Sequence, residues 1–85
     1  MAPSAPRGKL PTMSGLHKRS LSLSGHATSL ALEPEFWRVL DAMAAAEGLG
    51  LAGLVGRIDE GRGPRPLASA CRVAALMWTA RGQGG

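Results

Sequence analysis

Hydrophobic and polar residues alternate along the chain between residues 20 and 32, before the spacing becomes helical. In residues 27–32 one face carries Thr28, Leu30 and Leu32, and the other carries Ala27, Ser29 and Ala31. A period of two is typical of a half-buried strand, so we predict a strand over 27–32. Residues 20–24, Ser-Leu-Ser-Leu-Ser, alternate in the same way, and the sequence leaves open whether they join this strand.

Three helices are predicted to follow the strand. The first begins at Pro34, because proline is favoured at the first helical position, and Gly48 ends it as a left-handed cap. Apolar residues at helical spacing predict a second helix over about 51–59 and a third over about 67–79. The segment between these two helices, 61–66, is predicted to be a loop from its glycine and proline content.

A single strand before three helices has no partner within the chain, unless 20–24 supplies one. An isolated strand or a lone two-stranded hairpin is not stable in water, and its unpaired backbone groups need a partner. The simplest partner is the same strand of a second copy. We therefore predict a mostly α fold with one β-strand, closed as an intertwined, symmetric homodimer around an intermolecular two-stranded antiparallel ribbon.

The predicted dimer core combines the inward strand face with apolar residues of the first two helices. Its members are Thr28, Leu30, Leu32, Phe36, Trp37, Leu40, Leu54, Val55 and Ile58. We interpret Trp37 and Trp78 as core or interface anchors rather than surfaces for base stacking. Cys71 lies on the apolar face of the third helix and is predicted to be a buried small hydrophobic residue.

The positive charge of the chain is concentrated near its N-terminus. The formal net charge is +4, and residues 1–32 hold four basic residues and no acidic residue, so that 33–85 is neutral. A basic arm before a folded body favours a polyanionic partner, although a solvated tail that only aids solubility is the alternative. We predict a disordered basic arm over 1–17, a domain over 18–80 and a disordered tail over 81–85.

Neither secretion nor membrane insertion is indicated by the sequence. The N-terminus has no apolar signal region, and Pro3, Pro6 and Pro11 oppose the amphipathic helix of a mitochondrial transit peptide. No stretch reaches the roughly 18 apolar residues that a membrane span needs. The lone Cys71 fits a reducing compartment. We expect a cytoplasmic, nucleoid-associated protein.

The chain lacks the residue sets that catalysis and metal binding need. His17, His26 and Cys71 match no metal-ligand spacing, so no metal and no cofactor is expected. Glu33 and Glu35 are explained by the dipole of the first helix rather than by acid/base chemistry. Nothing supplies a nucleophile, a base and an orienting group together, so we expect no enzymatic activity.

Residues 18–79 resemble a bacterial ribbon-helix-helix domain family that is distantly akin to the Arc repressor. The resemblance rests on five short motifs taken together, in this order and at this spacing. They are Lys18-Arg19-Ser20, Gly25-His26-x-Thr28-Ser29, Leu32-Glu33-x-Glu35-Phe36-Trp37, Ile58-Asp59 and Leu67-x-Ser69-Ala70-x-Arg72-Val73.

The resemblance implies a dimer whose paired strands enter the major groove of double-stranded DNA. The implied base-facing residues are Ala27, Ser29 and Ala31. The implied phosphate contacts, from side chains and from the start of the second helix, are Lys18, Arg19, Gly50, Leu51 and Ala52. His26 sits between the two alternating stretches and is a further candidate phosphate contact; a structural hydrogen bond that caps the neighbouring turn is the alternative and the favoured role.

Three positions depart from the pattern of that family. Ala27 stands where the family prefers arginine, which removes the best base-reading side chain. Gly50 replaces a serine or threonine helix cap, and Pro66 stands where asparagine is usual.

The strand-first order, the basic arm and the family resemblance together lead us to expect a DNA-binding transcriptional regulator. The alternative is an antitoxin-like or adaptor module that binds a protein partner and reads DNA weakly or not at all.

Overall fold

The computed structural model describes residues 15–82, which form two strands followed by three helices. The strands are β1 (His17–Leu23) and β2 (His26–Leu32), and the helices are α1 (Pro34–Glu47), α2 (Leu51–Gly61) and α3 (Leu67–Ala80). Residues 1–14 of the predicted arm lie outside the described residues, and its last residue, His17, begins β1. Residues 83–85 of the predicted tail also lie outside them.

The two strands form an antiparallel hairpin within one chain. Ser24 and Gly25 form the connecting turn with φ angles of 53° and 82°, both in the left-handed region. Two central residues with positive φ define the type I′ turn, whose twist matches that of the flanking strands. The prediction of one strand per chain is therefore wrong: residues 20–23, whose place the sequence left open, belong to β1, and β2 finds a partner strand within its own chain.

Side chains alternate across the hairpin as the sequence predicts. On the inner face, Leu21 lies opposite Thr28 and contacts the core, and Leu23, Leu30 and Leu32 are buried. The helices pack over this face, with α2 against β1 and α3 against β2. Because every second residue points inward, one packed layer of helices is enough to cover the hairpin.

The predicted helix boundaries are confirmed to within two residues. Pro34 is the first residue of α1, and Gly48 ends that helix with φ 69° while its N–H meets the carbonyls of Ala44 and Ala45. Helix α2 follows after a short connection and extends to Gly61. Helix α3 ends at Ala80, where the N–H of Arg81 bonds the carbonyl of Met77.

The hydrophobic core is built from all five elements of a single chain. Its largest fully buried side chains are Leu32, Trp37, Leu40, Val55 and Cys71. The burial of Trp37 and Cys71 confirms their interpretation as core residues. Of the residues predicted for the dimer core, Thr28, Phe36 and Ile58 are only partly buried in the chain by itself. Most of the core therefore forms without a partner.

Among residues 15–82, no single helix has both the length and the apolar character to cross a membrane. Helices α1 and α2 pass that test only when taken as a pair, and they are bent by 98° at the break between them.

Candidate nucleic-acid interface

The outer face of the hairpin is the side that points away from the helices. The residues of this outer face are Lys18, Ser20, Ser22, Ala27, Ser29 and Ala31. Cross-strand pairing sets Ser20 opposite Ser29 at the centre, with Ser22 opposite Ala27 and Lys18 opposite Ala31 on either side. All six side chains are exposed except Ala31, which is half-buried.

Small side chains and hydroxyl groups make up most of this outer face. The three serines each offer one donor and two acceptor positions, and Lys18 adds the one charged group. Ala27 and Ala31 have no hydrogen-bonding atoms in their side chains. Small side chains let a bound surface come close to the strand backbone, and the serine hydroxyls can hydrogen-bond to it. The outer face holds few groups, however, that distinguish one base pair from another.

Arg19 lies on the inner face of the hairpin, whereas Lys18, the residue before it, lies on the outer face. Its guanidinium donates to both carboxylate oxygens of Asp41, at 3.1 and 3.4 Å, and lies 4.5 Å from the centre of the Trp37 ring. Both members of the ion pair stay about half exposed, so the pair contributes little stability by charge alone. Arg19 therefore fastens β1 to α1, while Lys18 stays available to a partner.

Trp37 of α1 also holds β1 and α1 together. Its indole Nε1–H donates to the carbonyl oxygen of His17 at 2.8 Å, and the side chain is only 1% exposed. A buried indole N–H is costly without an acceptor, so this bond fixes where β1 begins relative to α1. The position of Lys18, the next residue, is set in turn.

The junction between β2 and α1 is tied to α3 by an ion pair. Arg72 Nε donates to a carboxylate oxygen of Glu33 at 3.0 Å, and its guanidinium lies 5.7 Å from the Phe36 ring. The hydrogen bond from Arg72, followed by one from the backbone of Glu33 itself, lowers the pKa of the Glu33 carboxyl below its ordinary 4.5. Glu33 thus remains an anion that holds the end of β2 in place.

The remaining predicted phosphate contacts lie at two turns. His26 is exposed beside the hairpin turn, opposite Leu23. Gly50 is the N-cap of α2, with Leu51 and Ala52 in its first turn; no side chain caps this end. The first amides of a helix lack intrahelical acceptors, so those of α2 are available to an anion.

Serines 20 and 22 belong to the outer face but were missed as site residues by the sequence reasoning. Their signal was present in the Ser-Leu-Ser-Leu-Ser alternation, which places both serines on the face of the strand that does not carry Leu21 and Leu23. What the alternation did not reveal was the strand partner, because Ser24-Gly25 is a less common turn pair than Asn-Gly or Asp-Gly.

Across residues 15–82, no group of three potential metal ligands comes together. His17 and His26 lie at opposite ends of the hairpin register, and Cys71 is fully buried in α3.

Comparisons with known proteins agree with this architecture. No curated protein matches the chain. The solved structure of an uncharacterized protein from Bordetella pertussis Tohama I is 35% identical, with a TM-score of 0.69. The match covers 81% of this chain and 60% of that one, so this chain spans less than two thirds of that protein. The profile of the ribbon-helix-helix domain matches residues 16–79, and the chain belongs to the ribbon-helix-helix family.

Proposed function

We propose that this chain is a homodimeric DNA-binding regulator that presents the outer face of its hairpin to the major groove. The observation that carries the proposal is that outer face: an exposed strip of hydroxyls and small side chains with Lys18 at its end, on the side opposite the helices. Ribbon-helix-helix domains are generally non-enzymatic DNA-binding regulators and typically act as homodimers.

The free edge of β2 is the natural site for the second copy. In a hairpin with a two-residue turn, the residues that flank the turn form a hydrogen-bonded pair, and bonded and non-bonded pairs alternate from there. Leu23 and His26 flank this turn. The backbone groups of Ala27, Ser29 and Ala31 are therefore expected to point outward, and within residues 15–82 β2 has no second neighbour.

Antiparallel pairing of two β2 strands about Ser29 keeps both inner faces on the same side. It sets Ala27 of one copy opposite Ala31 of the other, and it aligns Ser20, Ser29 and their symmetry mates in one row across four strands. The major groove, about 12 Å wide, admits a two-stranded ribbon, so the two central β2 strands fit into it, while the axes of the flanking β1 strands lie about 14 Å apart, at the edges of the groove. The β2 strands then face the bases, and Lys18 on each flanking β1 meets a phosphate.

This arrangement predicts binding that depends on phosphates more than on base sequence. Among the outward-facing residues of the central β2 strands, Ala27, Ser29 and Ala31, Ser29 alone has a side chain that can hydrogen-bond, and serine accepts several bases. Lys18, the amides that begin α2 and the basic residues Arg7 and Lys9 of the N-terminal segment supply contacts that any duplex offers. The proposed regulator therefore has a modest preference for its specific sites.

A salt series tests the proposal. Binding of the full chain to duplex DNA is measured by fluorescence anisotropy at several salt concentrations, beside Lys18→Gln and Arg65→Gln. Both variants lose one positive charge, but Arg65 lies in the loop between α2 and α3 and is not part of the hairpin. We expect Lys18→Gln to reduce the salt slope by about 1 for each phosphate that the lysine neutralises, and Arg65→Gln to leave it unchanged.

Equal slopes for both variants would place the DNA on another surface. The absence of binding to any duplex at low salt would instead favour the adaptor or antitoxin-like alternative, which the scarcity of base-reading side chains on the outer face supports.

A further inference from the structure

A groove of about 360 Å³ lies between α2 and α3, away from the hairpin. Its lining residues are Arg57, Ile58, Gly61, Arg62, Arg65, Ala70, Val73 and Ala74. All of them come from α2, α3 and the loop between these helices, and none from either strand. A molecule in the groove therefore leaves the outer face of the hairpin open.

The charged residues that line the groove are all arginines. Three arginines line it, and no acidic residue of the described chain does so. Glu47 pairs with Arg57, and Asp59 pairs with Arg62 at 2.6 Å, so two of these charges are partly neutralised from outside the lining. Arg65 has no carboxylate within ion-pair distance among residues 15–82.

Hydrogen bonds hold the loop side of the groove in shape. Arg62 reaches the carbonyl oxygen of Arg65 through its second guanidinium nitrogen at 2.6 Å, while its Nε meets Asp59. The backbone N–H of Arg65 bonds the carbonyl of Arg62 at 3.2 Å. These bonds fix the conformation of the loop that forms the rim of the groove, and Arg65 belongs to this loop.

An exposed apolar stripe on α3 continues the floor of the groove. Val73 is 38% exposed, Leu76 63% and Met77 54%, at the i, i+3 and i+4 positions of one helix face. These are three of the four large hydrophobic residues that are exposed in the described chain, so they are not scattered singly. Val73 belongs to both features, which makes groove and stripe one continuous surface.

We propose that this surface, the groove together with the stripe, binds an amphipathic helix of a protein partner that carries acidic residues beside its apolar side chains. Charge complementarity selects the partner: its carboxylates meet the arginine rim, and its apolar face covers Val73, Leu76 and Met77. Helix-in-groove recognition uses the same combination of anchors at helical spacing. Duplex DNA matches the arginines but leaves the stripe exposed, and a lipid surface is flat where this surface is concave.

Two labelled synthetic peptides test this surface on the full chain. Both are amphipathic helices with leucine at positions i, i+3, i+4 and i+7; one carries glutamates flanking the leucines and the other carries lysines there. We expect the glutamate peptide to bind about tenfold more tightly or better, because like charges repel the lysine peptide. Arg65→Glu should narrow or reverse that preference, whereas Arg38→Glu, an exposed arginine of α1 outside the groove, should preserve it.

Leu76→Gln tests the apolar half of the surface. The residue is 63% exposed, so the thermal midpoint should stay unchanged while binding of the glutamate peptide weakens several-fold. DNA binding by this variant should equal that of the native chain, which separates this proposal from the proposed function.

Four outcomes overturn the proposal: neither peptide binds; both bind equally; Leu76→Gln turns dimers into monomers in sedimentation; or anionic vesicles bind in a Leu76-dependent way and displace the glutamate peptide. The last two would assign the stripe to a second copy or to a membrane surface.

Discussion

Trp37 joins the hairpin to α1 through the edge and the face of one indole ring. The edge donates a hydrogen bond to the carbonyl of His17, and the face carries the guanidinium of Arg19. Trp78 is similarly buried at 7% exposure, but no such bond of its indole N–H is found within residues 15–82. Trp78 therefore contributes by packing, whereas Trp37 contributes by packing and by its polar contacts.

Trp37→Phe is expected to lower the free energy of unfolding by about 1–2 kcal/mol more than Trp78→Phe. Both changes remove similar volume, but only the first also removes a part-buried hydrogen bond, worth about 0.5–1.5 kcal/mol, and puts a ring that attracts a cation less strongly than indole beside the Arg19 guanidinium. Urea unfolding followed by far-UV circular dichroism measures the difference. Equal destabilisation by the two changes would show that the bond to His17 contributes nothing measurable.

Cys71 is fully buried, and desolvation raises the pKa of its thiol from 9.0 to about 11, with Asp59 adding to the rise and Arg72 opposing it. The unfolded chain releases this proton near pH 9, whereas the folded chain keeps it until about pH 11. The folded state therefore binds more protons in that window, and stability falls as pH rises through it.

Two measurements check the state of this thiol. At pH 8 the native chain should react slowly with a thiol reagent and rapidly after urea is added, since Cys71 is the chain's one cysteine. Between pH 9 and 11, Cys71→Ala should lack one component of the decline in stability, of up to about 1.4 kcal/mol per pH unit. Rapid labelling of the native chain would show that the site opens readily.

At the scale of elements, the hairpin depends on its turn and α2 depends on packing. Gly25 has φ 82°, a conformation that costs a residue with a Cβ about 1–2 kcal/mol. Gly56 lies inside α2, where glycine is less favourable than alanine by about 1 kcal/mol. At neither position would an added Cβ meet another atom within 4 Å.

The same substitution should therefore act in opposite directions at these two sites. Gly25→Ala is expected to lower the free energy of unfolding by about 1–2 kcal/mol, and Gly56→Ala to raise it by up to about 1 kcal/mol. Thermal and urea unfolding of both variants measure the signs. A destabilising Gly56→Ala would indicate that a partner packs against that position in solution.

For the whole molecule, the proposed dimer requires the outer edge of β2 but not that of β1. Ser20 and Ser29 are register partners with exposed side chains, and each backbone N–H is expected to point to its own strand's outer edge. Proline is tolerated at such edge positions, where it removes a donor that faces outward.

Ser29→Pro should therefore abolish dimer formation, whereas Ser20→Pro should leave it intact. Sedimentation equilibrium measures the association, and circular dichroism shows that both variants keep their helices. The thermal midpoint of the native chain should also rise with protein concentration, because association stabilises the folded state. Two dimeric variants would contradict pairing along β2.

The amino-acid sequence was enough to place the strand before α1, the faces of that strand and, to within two residues, the limits of all three helices. These features depend on local signals, such as the alternation over 27–32, the proline at position 34 and the glycine at 48, which act within a few residues. Together with the family motifs, these local signals were sufficient to predict a ribbon-helix-helix domain.

The packed fold was needed to show that β1 and β2 form a hairpin, that Arg19 pairs with Asp41, and that Arg72 reaches Glu33. The two ion pairs join residues 22 and 39 positions apart. The arginine-lined groove likewise exists only where α2 and α3 meet. Such contacts depend on how the elements pack, and neither side-chain periodicity nor turn composition carries information about partners that distant in the chain.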